Sequence, residues 1–369
     1  MLEYTGKYSS CKVMTDEIEP SSVGLIYALL NNPASEGSTI RIMPDCHSGV
    51  GCVIGFTATL TDKVIPNLIG VDIGCGVVSL CFGREDKLDL AKLDKHIREK
   101  IPSGFNAHES CDRELRDSEE AELYSKVCRE TGQDVSRVLC SIGTLGGSNH
   151  FIELGRDQED RVWATIHSGS RNFGLKVCLH HQKIASKGKP SKGLEWLEGE
   201  EAQQYIAHMK VAQEYAAHNR TEMAWALRQF FRRDPEDRVE SVHNYINLED
   251  KIIRKGAISA HKDERVIIPW NMRDGLIIGR GKGSVDWNNS APHGAGRLMS
   301  RRQAKDSFTL TQFKESMEGI WTSSLSRATI DESPMAYKDH RIIQEQIADT
   351  VDIELTVKPI YSFKASEEK

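Results

Sequence analysis

The chain has 369 residues, of which 39% are hydrophobic and 28% charged, and its formal net charge is −6. This composition is typical of a globular protein with one large domain or two or three smaller ones, and it excludes a general basic field, so a nucleic acid would need a local basic patch. No stretch resembles a signal peptide or a membrane span, and nine cysteines without a CxxC pair predict a reducing, cytoplasmic environment.

The first predicted elements are a short helix over residues 20–32 and strands at 38–43, 52–60 and 77–83. Asp72 and Cys75 precede the third strand among interleaved glycines, which can turn both side chains towards one point. A carboxylate and a thiolate suit one half of a divalent metal site. The alternative is a turn with a helix-capping aspartate and a buried cysteine, and histidines elsewhere favour the metal interpretation.

Residues 84–138 are charged and periodic, which predicts amphipathic surface helices. A glycine-rich turn then leads to residues 149–154, which could be a strand or a helix and which carry Asn149, His150 and Glu153. The next strand, 162–166, ends at His167. The turn after it could hold a phosphate through three polar side chains, namely Ser168, Ser170 and Arg171.

The clearest helix signal covers residues 199–233, where apolar residues recur near the helical period. His208 and His218 on this helix are predicted to be exposed or capping. A histidine beside a short apolar run follows at His243. Further strands are expected at 266–269, 276–279 and 355–363, and helices at 311–320 and 338–349.

A second histidine turn, Asn289–Arg297, places His293 between a proline and two glycines, with basic residues behind it. Glycine permits close backbone approach, so the imidazole can face a pocket with one nitrogen available. Backbone N–H groups beside it, followed by a helix start, would suit a phosphate. The alternative is a tight turn with an ordinary surface histidine.

Six candidates are assigned to glycine-flanked strand ends, and together they combine imidazole, carboxylate and thiolate groups: Asp72, Cys75, His150, His167, His243 and His293. That set favours Mn, Fe, Co or Zn over Mg. Neither an HExxH motif nor a P-loop is present in the sequence. From the residues alone we predict a metal-dependent enzyme acting on a phosphorylated substrate.

Eight strings in chain order resemble the motifs of one family: MPDCHSGVGCVIG, GVDIGCG, GTLGGSNHFIE, HSGSR, HNYI, RKGAISA, HGAGR and DESPMAYKD. This order is similar to that of the RtcB family of RNA-splicing and repair ligases, from about residue 43 to 364. The resemblance implies a single α+β domain over residues 1–369, with central β-sheets, outer helices and a dinuclear metal cleft. It also implies a cytoplasmic ligase that joins RNA ending in a 3′-phosphate or 2′,3′-cyclic phosphate to RNA with a 5′-hydroxyl, in RNA repair or tRNA splicing. GTP and two Mn²⁺ ions are the implied cofactors, and an archease-type activator is a possible partner.

The resemblance also assigns roles to individual residues. His293 is implied to be the nucleophile that takes GMP from GTP, before GMP passes to the RNA 3′-phosphate and is displaced by the 5′-hydroxyl. Cys75 would bridge the two metal ions, which are completed by the pairs Asp72 with His150 and His167 with His243. The implied nucleotide-binding residues are Asn149, His150, Phe151, Ile152, Glu153, His243, Asn244, Pro269, Trp270, Asn271, Met272, His293, Gly294, Ala295, Gly296, Tyr337 and Lys364. RNA phosphates are assigned to Arg171 and Arg297, and Asp45 and His47 would border the site without an assigned role.

The chain departs from the family at one turn. Pro269-Trp270-Asn271-Met272-Arg273 stands where members have Pro-Gly-Ser-Met-Gly, and a serine that helps to bind the nucleotide is replaced near Leu276. We therefore expect a reshaped pocket rim and a divergent branch of the family. Two alternative functions remain: a metal-dependent phosphoesterase or nuclease that acts on RNA ends without guanylylation, and a binding protein that keeps the fold without catalysis.

Overall fold

The computed structural model describes residues 1–111 and 117–365. Its strands are β1 (Leu2–Thr5), β2 (Ser10–Val13), β3 (Ile40–His47), β4 (Ile54–Thr59), β5 (Gly76–Arg84), β6 (Phe151–Arg156), β7 (Arg161–Ser168), β8 (Asp237–Val242), β9 (Asn244–Asn247), β10 (Ile252–Lys255), β11 (Ala257–Ser259), β12 (Arg265–Asn271), β13 (Gly275–Gly281), β14 (Ser290–Pro292) and β15 (Val351–Lys364). Its α-helices are α1 (Pro20–Leu30), α2 (Leu90–Lys100), α3 (Glu119–Thr131), α4 (Val135–Leu139), α5 (Arg171–Ala185), α6 (Gly199–Phe231), α7 (Arg301–Ser307), α8 (Leu310–Ser316) and α9 (His340–Gln346).

The largest sheet is antiparallel, with the strand order β12-β13-β15-β6-β7-β5-β8. Its two edge strands approach each other, because the backbone N–H of Ile267 on β12 donates to the hydroxyl of Ser241 on β8 at 3.0 Å. Arg265 and Asp237 form an ion pair across the same gap. The sheet is therefore curled almost into a barrel, which positions the ends of neighbouring strands around one opening.

Both faces of this sheet are buried, which explains why β5 is apolar along nearly its whole length. Val77 and Cys81 face the inside of the curled sheet and pack near Trp163. Val78 and Phe82 face outwards, where α2 and α6 contribute the other half of a second core cluster. The long helix thus covers the outer face of the strands that carry the site.

The second sheet has six strands in the order β1-β2-β3-β4-β10-β9, and a small two-stranded sheet pairs β11 with β14. In the six-stranded sheet β2 and β3 run parallel, whereas the other neighbours are antiparallel. Residues of α1, α3, α5 and α6 share its core. The predicted α+β class, with central sheets and outer helices, is confirmed.

The structure tests several of the predicted helices, strands and exposed side chains. The helix expected at 199–233 is α6, and the ambiguous segment after Asn149 is strand β6. The prediction that His208 is exposed or capping is wrong. Its side chain is 5% exposed and bonded to His181 and Glu130, because neighbouring helices cover that side of α6. Part of the predicted helical zone, residues 112–116, and the predicted charged tail at 366–369 lie outside the described residues. None of the helices in the described ranges combines the length and apolar character that crossing a bilayer requires.

Candidate active site

Four neighbouring strands of the curled sheet bring the predicted metal ligands to one end. Cys75 immediately precedes β5 and His150 immediately precedes β6, whereas His167 lies near the end of β7 and His243 immediately follows β8. Because these strands are antiparallel in the order β6-β7-β5-β8, starts and ends alternate along one rim. Register confirms the proximity, since Gly76 pairs with both Ser168 and Val242.

The donor atoms of these side chains converge on the sulfur of Cys75. Sγ lies 3.2 Å from Nε2 of His167 and 3.5 Å from Nε2 of His150. Nε2 of His150 is 2.9 Å from a carboxylate oxygen of Asp72, and Nε2 of His167 is 3.3 Å from Nε2 of His243. Cys75 therefore belongs to two possible metal groups, one with Asp72 and His150 and one with His167 and His243.

The protonation of this set favours a cation. Nδ1 of His150 faces the backbone carbonyl of Leu145 at 2.8 Å, and Nδ1 of His167 faces that of Asn149 at 3.2 Å. A carbonyl oxygen only accepts, so each Nδ1 carries a hydrogen and each Nε2 is the ring nitrogen left to bind a cation. Burial holds the pKa of His167 and His243 well below the usual histidine range. Imidazole, carboxylate and sulfur donor atoms gathered this closely in two groups fit a pair of metal ions.

Helix α6 holds the turns that carry these ligands. The amide of Asn219 donates to the Ser168 hydroxyl and the Gly169 carbonyl. The buried guanidinium of Arg220 donates to the Gly74 and Ser168 carbonyls, and Glu240 balances its charge. Two consecutive residues of one helix therefore fix the turn before β5 relative to the end of β7.

His293 follows β14, and its Nδ1 lies 2.7 Å from a carboxylate oxygen of Asp45, 248 residues away in the sequence. Asp45 is fully buried on β3, so this contact fixes the imidazole ring. The ring centroid of His293 is 4.9 Å from that of His243. The candidate nucleophile and the candidate metal ligands are thus adjacent.

The backbone around His293 approaches β3 very closely. A Cβ atom at Gly296, where φ is +76°, would lie 2.2 Å from the carbonyl oxygen of Asp45. The ammonium of Lys338 donates to the carbonyls of Pro44 and Cys46, on either side of Asp45. Glycine at position 296 and lysine at 338 therefore keep Asp45 in place beside the imidazole.

A cavity of about 1030 Å³ opens beside His293. It is lined by most of the residues predicted to bind the nucleotide, namely Asn149, Phe151, Glu153, His243, Pro269, Trp270, Asn271, Met272, His293, Gly294, Ala295, Gly296, Tyr337 and Lys364. His167 and Arg297 also line it. A space of this size accommodates a nucleotide.

Four of the residues predicted to bind the nucleotide or RNA do not line this cavity. Ile152 is fully buried in the core cluster on the outer face of the sheet. His150 belongs to the metal group with Cys75. The side chain of Asn244 bonds the Asp72 carbonyl and the Gly256 N–H. The guanidinium of Arg171 contacts the Thr144 hydroxyl and the Gly104 carbonyl, so it supports the turn before β6.

The unusual turn after Pro269 forms part of the cavity wall. Trp270 is 3% exposed, and its ring lies 5.9 Å from that of His340. The amide of Asn271 closes the β12–β13 turn by bonding Asp274, and Arg273 also pairs with Asp274. Leu276 is buried inside the curled sheet. The buried indole of Trp270 thus forms part of one cavity wall.

Glu332, which the sequence analysis left without a role, connects three of the cavity-lining residues. Its carboxylate accepts from the Lys364 ammonium at 2.5 Å, from the Tyr337 hydroxyl at 2.7 Å and from the Arg297 guanidinium at 3.2 Å. Although burial opposes its ionisation, Lys364, Arg301 and Arg297 lower the pKa of Glu332 to about 2. The string DESPMAYKD contains both Glu332 and Tyr337, and this was the available signal for the missed residue.

Glu153 has the opposite electrostatic environment. It is buried on β6, two residues beyond Phe151, and burial raises its pKa to about 8 while the nearby Lys364 opposes that rise. A raised carboxyl pKa means that, between about pH 4.5 and 8, the folded protein binds more protons than the unfolded chain. The contribution of Glu153 to folding therefore becomes less favourable as the pH rises through this window.

We expect the Glu153→Gln variant to gain stability relative to the parent as the pH rises from 5 to 8, by a few kcal/mol, since each pKa unit corresponds to about 1.4 kcal/mol. Urea unfolding at several pH values measures this difference. Glu332→Gln is the matched control, because the depressed pKa of Glu332 predicts a loss of stability that stays constant over the same range. A pH-independent difference for Glu153→Gln would contradict the prediction.

Comparison with known proteins supports the family resemblance seen in the sequence motifs. A family model described as tRNA-splicing ligase RtcB matches residues 33–365. The RNA-splicing ligase RtcB of Escherichia coli strain K12 is 32% identical over 368 residues, covering 88% of this chain and 90% of that protein. Proteins named tRNA-splicing ligase RtcB from Nanoarchaeum equitans and Aeropyrum pernix are 26% and 28% identical, each over 81% of this chain and 82% of their own length.

Proposed function

The chain belongs to the RtcB family of RNA ligases, and from this premise we propose that it joins RNA ending in a 3′-phosphate or 2′,3′-cyclic phosphate to RNA with a 5′-hydroxyl, using GTP and Mn²⁺. One observation carries the proposal: His293 and the sulfur-centred donor set meet at His243. The His243 ring is 4.9 Å from that of His293, and its Nε2 is 3.3 Å from that of His167. A nucleotide phosphate in the cavity can therefore reach an imidazole and a metal site together.

Two Mn²⁺ ions would be held by Asp72 and His150 on one side, by His167 and His243 on the other, and by Cys75 between them. When bound, such ions polarise phosphate oxygens and offset the negative charge that develops during transfer. Burial and the Asp72 carboxylate raise the pKa of the Cys75 thiol well above its usual range. The thiol therefore has to release its proton when it becomes a ligand, so tighter metal binding is expected at higher pH.

His293 supplies the nucleophile of the first step. With Nδ1–H held by the Asp45 carboxylate, Nε2 has a lone pair for the α-phosphorus of GTP. The N–P bond forms, the bond from the α-phosphorus to its bridging oxygen breaks, and pyrophosphate leaves with the electron pair. The positive charge that develops on the imidazole is stabilised by Asp45, as an aspartate does for a catalytic histidine.

Glu153 and Lys364 are complementary to the edge of guanine. Once Glu153 has released the proton that burial favours, its carboxylate can accept from the adjacent N1–H and N2–H groups of guanine, and the Lys364 ammonium can donate to a ring or carbonyl acceptor. Lys364 lies over the ring of Phe151, with Nζ 5.6 Å from the centroid, and is held by Glu332. The hydroxyl of Tyr337 bonds the same Glu332 carboxylate, which keeps its ring at the cavity wall, where a base can pack against it.

The later steps return His293 to its starting form. A 3′-phosphate oxygen of the RNA attacks the phosphorus on His293, the N–P bond breaks, and GMP is transferred to the RNA end. The 5′-hydroxyl oxygen of the second RNA then attacks the activated 3′-phosphorus, and GMP leaves. A cyclic phosphate is first opened to a 3′-phosphate by water. Arg297 at the cavity wall is the proposed contact for RNA phosphate, and Arg171 remains a prediction.

RNA repair or tRNA splicing in the cytoplasm is the corresponding cellular role. The nine cysteines, which lack disulfide-framework spacing, agree with a reducing compartment. An archease-type activator remains a prediction from the family resemblance.

Joining of defined RNA ends tests the proposal. A 3′-phosphate RNA and a 5′-hydroxyl RNA are incubated with the protein, GTP and Mn²⁺, and each component is omitted in turn. We expect a joined product only in the complete mixture and little with ATP in place of GTP. Removal of the 3′-phosphate without GTP or joining would instead favour the metal-dependent phosphoesterase. Neither reaction, with RNA still bound, would favour a binding protein.

A further inference from the structure

Two imidazoles in the cavity are held by the same residue. Nδ1 of His293 lies 2.7 Å from the Asp45 carboxylate, and Nδ1 of His47 lies 3.0 Å from the Asp45 backbone carbonyl. His47 is the last residue of β3 and lines the same cavity. The proposed mechanism uses His293, whereas His47 has no role in it.

The contact of His47 fixes its tautomer. Since the carbonyl of Asp45 only accepts, Nδ1 carries the hydrogen and Nε2 presents a lone pair. In the part of the chain that the structure describes, Nε2 of His47 has no hydrogen-bond partner, and the atom is not fully buried. Its lone pair is therefore available to a molecule in the cavity.

The surroundings keep this imidazole neutral. Burial lowers the pKa of His47 to about 4, and the neighbouring His293 and Lys338 act in the same direction. Asp45 opposes this effect from the same strand, and the carboxylate of Glu19 also lines the cavity. At neutral pH Nε2 of this ring is therefore unprotonated and can accept a proton.

The other cavity-lining histidines are already engaged. His167 and His243 direct Nε2 towards each other and towards the metal group. His293 is the proposed carrier of GMP. Nearby, Lys338 donates to backbone carbonyls and, as an ammonium, has no lone pair. His47 is thus the cavity imidazole best placed to accept a proton from a second reactant.

The position of His47 also differs from that of the base-binding residues. Glu153 and Lys364 lie on strands β6 and β15 of the curled sheet, whereas His47 belongs to the six-stranded sheet. Beside it the cavity is lined by Ser48 and by Ser21 at the start of α1, whose hydroxyls are 2.7 Å apart. The 5′-hydroxyl end of the second RNA can approach along this polar wall while the nucleotide lies against the opposite wall with Glu153 and Lys364.

We infer that His47 is the general base of the joining step and that its Nε2 takes the proton of the RNA 5′-hydroxyl. The inference rests on the proposed ligase function. As the proton moves to Nε2, the O5′–P bond forms and the bond from that phosphorus to GMP breaks. GMP leaves with the electron pair as a phosphate monoester, and His47 then releases its proton to water.

The joining step can be tested separately from guanylylation. RNA carrying a preformed 3′-ppG end is mixed with 5′-hydroxyl RNA, excess protein and Mn²⁺ without GTP, and single-turnover joining is timed. The test variant is His47→Asn, because its side-chain amide can still donate to the Asp45 carbonyl but lacks Nε2. We expect joining to slow by at least about 100-fold, the usual lower range for loss of a general base. Labelling of His293 by GTP should fall by less than about fivefold, since that step uses no 5′-hydroxyl.

Chemical rescue distinguishes proton transfer from a structural effect. In His47→Ala, added imidazole is expected to restore part of the joining rate. His96→Asn is the matched control, because His96 on α2 bonds the Ala226 carbonyl away from the cavity, and it should match the parent in both steps. Equal losses of labelling and joining in His47→Asn, or no rescue by imidazole in a folded His47→Ala, would overturn the inference. A parent protein that is neither labelled by GTP nor able to join RNA would overturn the proposed function itself.

Discussion

Replacing His293 with alanine is expected to abolish covalent labelling by GTP and to reduce RNA joining from 3′-phosphate ends by at least about four orders of magnitude. The methyl group has no lone pair to attack the α-phosphorus, and no other imidazole is held by the Asp45 carboxylate among the described residues. Labelled GTP and denaturing gels measure the adduct, and end-labelled RNA measures joining. The adduct should be lost in acid and survive in base, because the N–P bond of a phosphoramidate is labile in acid and stable in base.

Asp45→Asn separates the nucleophile from the group that holds it. The asparagine oxygen can still accept from Nδ1 of His293, but it cannot offset the positive charge on the ring. We therefore expect labelling that is slower than in the parent by about 10- to 1000-fold, but not absent. Full labelling of His293→Ala would contradict the assignment, because the phosphate would then be carried by another side chain.

Replacing Cys75 with alanine is expected to weaken both metal positions at once, with loss of guanylylation. Within residues 1–111 and 117–365, its sulfur is the one donor that belongs to both groups, so we expect no other ligand there to have the same effect. Equilibrium dialysis with Mn²⁺ should give about two ions for the parent and fewer than one for Cys75→Ala at the same metal concentration.

Two further variants make this measurement specific. Cys81→Ala removes another buried sulfur, from strand β5 that Cys75 immediately precedes, and because Cys81 faces the inside of the curled sheet, metal stoichiometry should not change. Asp72→Asn affects one group of donors, so about one ion should remain. Retention of two ions by Cys75→Ala would exclude a bridging sulfur.

Sequence was sufficient where a pattern is local and repeated. The periodicity of residues 199–233 predicted α6, and the apolar run at 77–83 predicted β5. The ligand candidates were also recognisable, because they lie near predicted strand ends and most of them are close to glycine. Their grouping into one site came from the family resemblance, since spacing in the chain does not determine which strands become neighbours.

The relations that the sequence did not reveal are contacts between distant segments. Asp45 and His293 are 248 residues apart, and Glu332 reaches Lys364 across 32 residues. His208 was misjudged because helical periodicity does not indicate that Glu130, 78 residues earlier, covers that side of α6. The guanidinium of Arg171, which is predicted to contact an RNA phosphate, donates to the Thr144 hydroxyl and the Gly104 carbonyl, partners that only the folded chain brings near.

The order in which these residues occur has a consequence for synthesis on the ribosome. The metal-ligating set is complete once His243 has emerged, whereas His293 reaches its Asp45 partner fifty positions later, and Lys364 arrives near the end. The candidate ligands are thus all synthesised before the candidate nucleophile. However, β6, which begins next to His150, pairs with β15, so the sheet that holds these ligands is not complete until the chain beyond His293 has emerged.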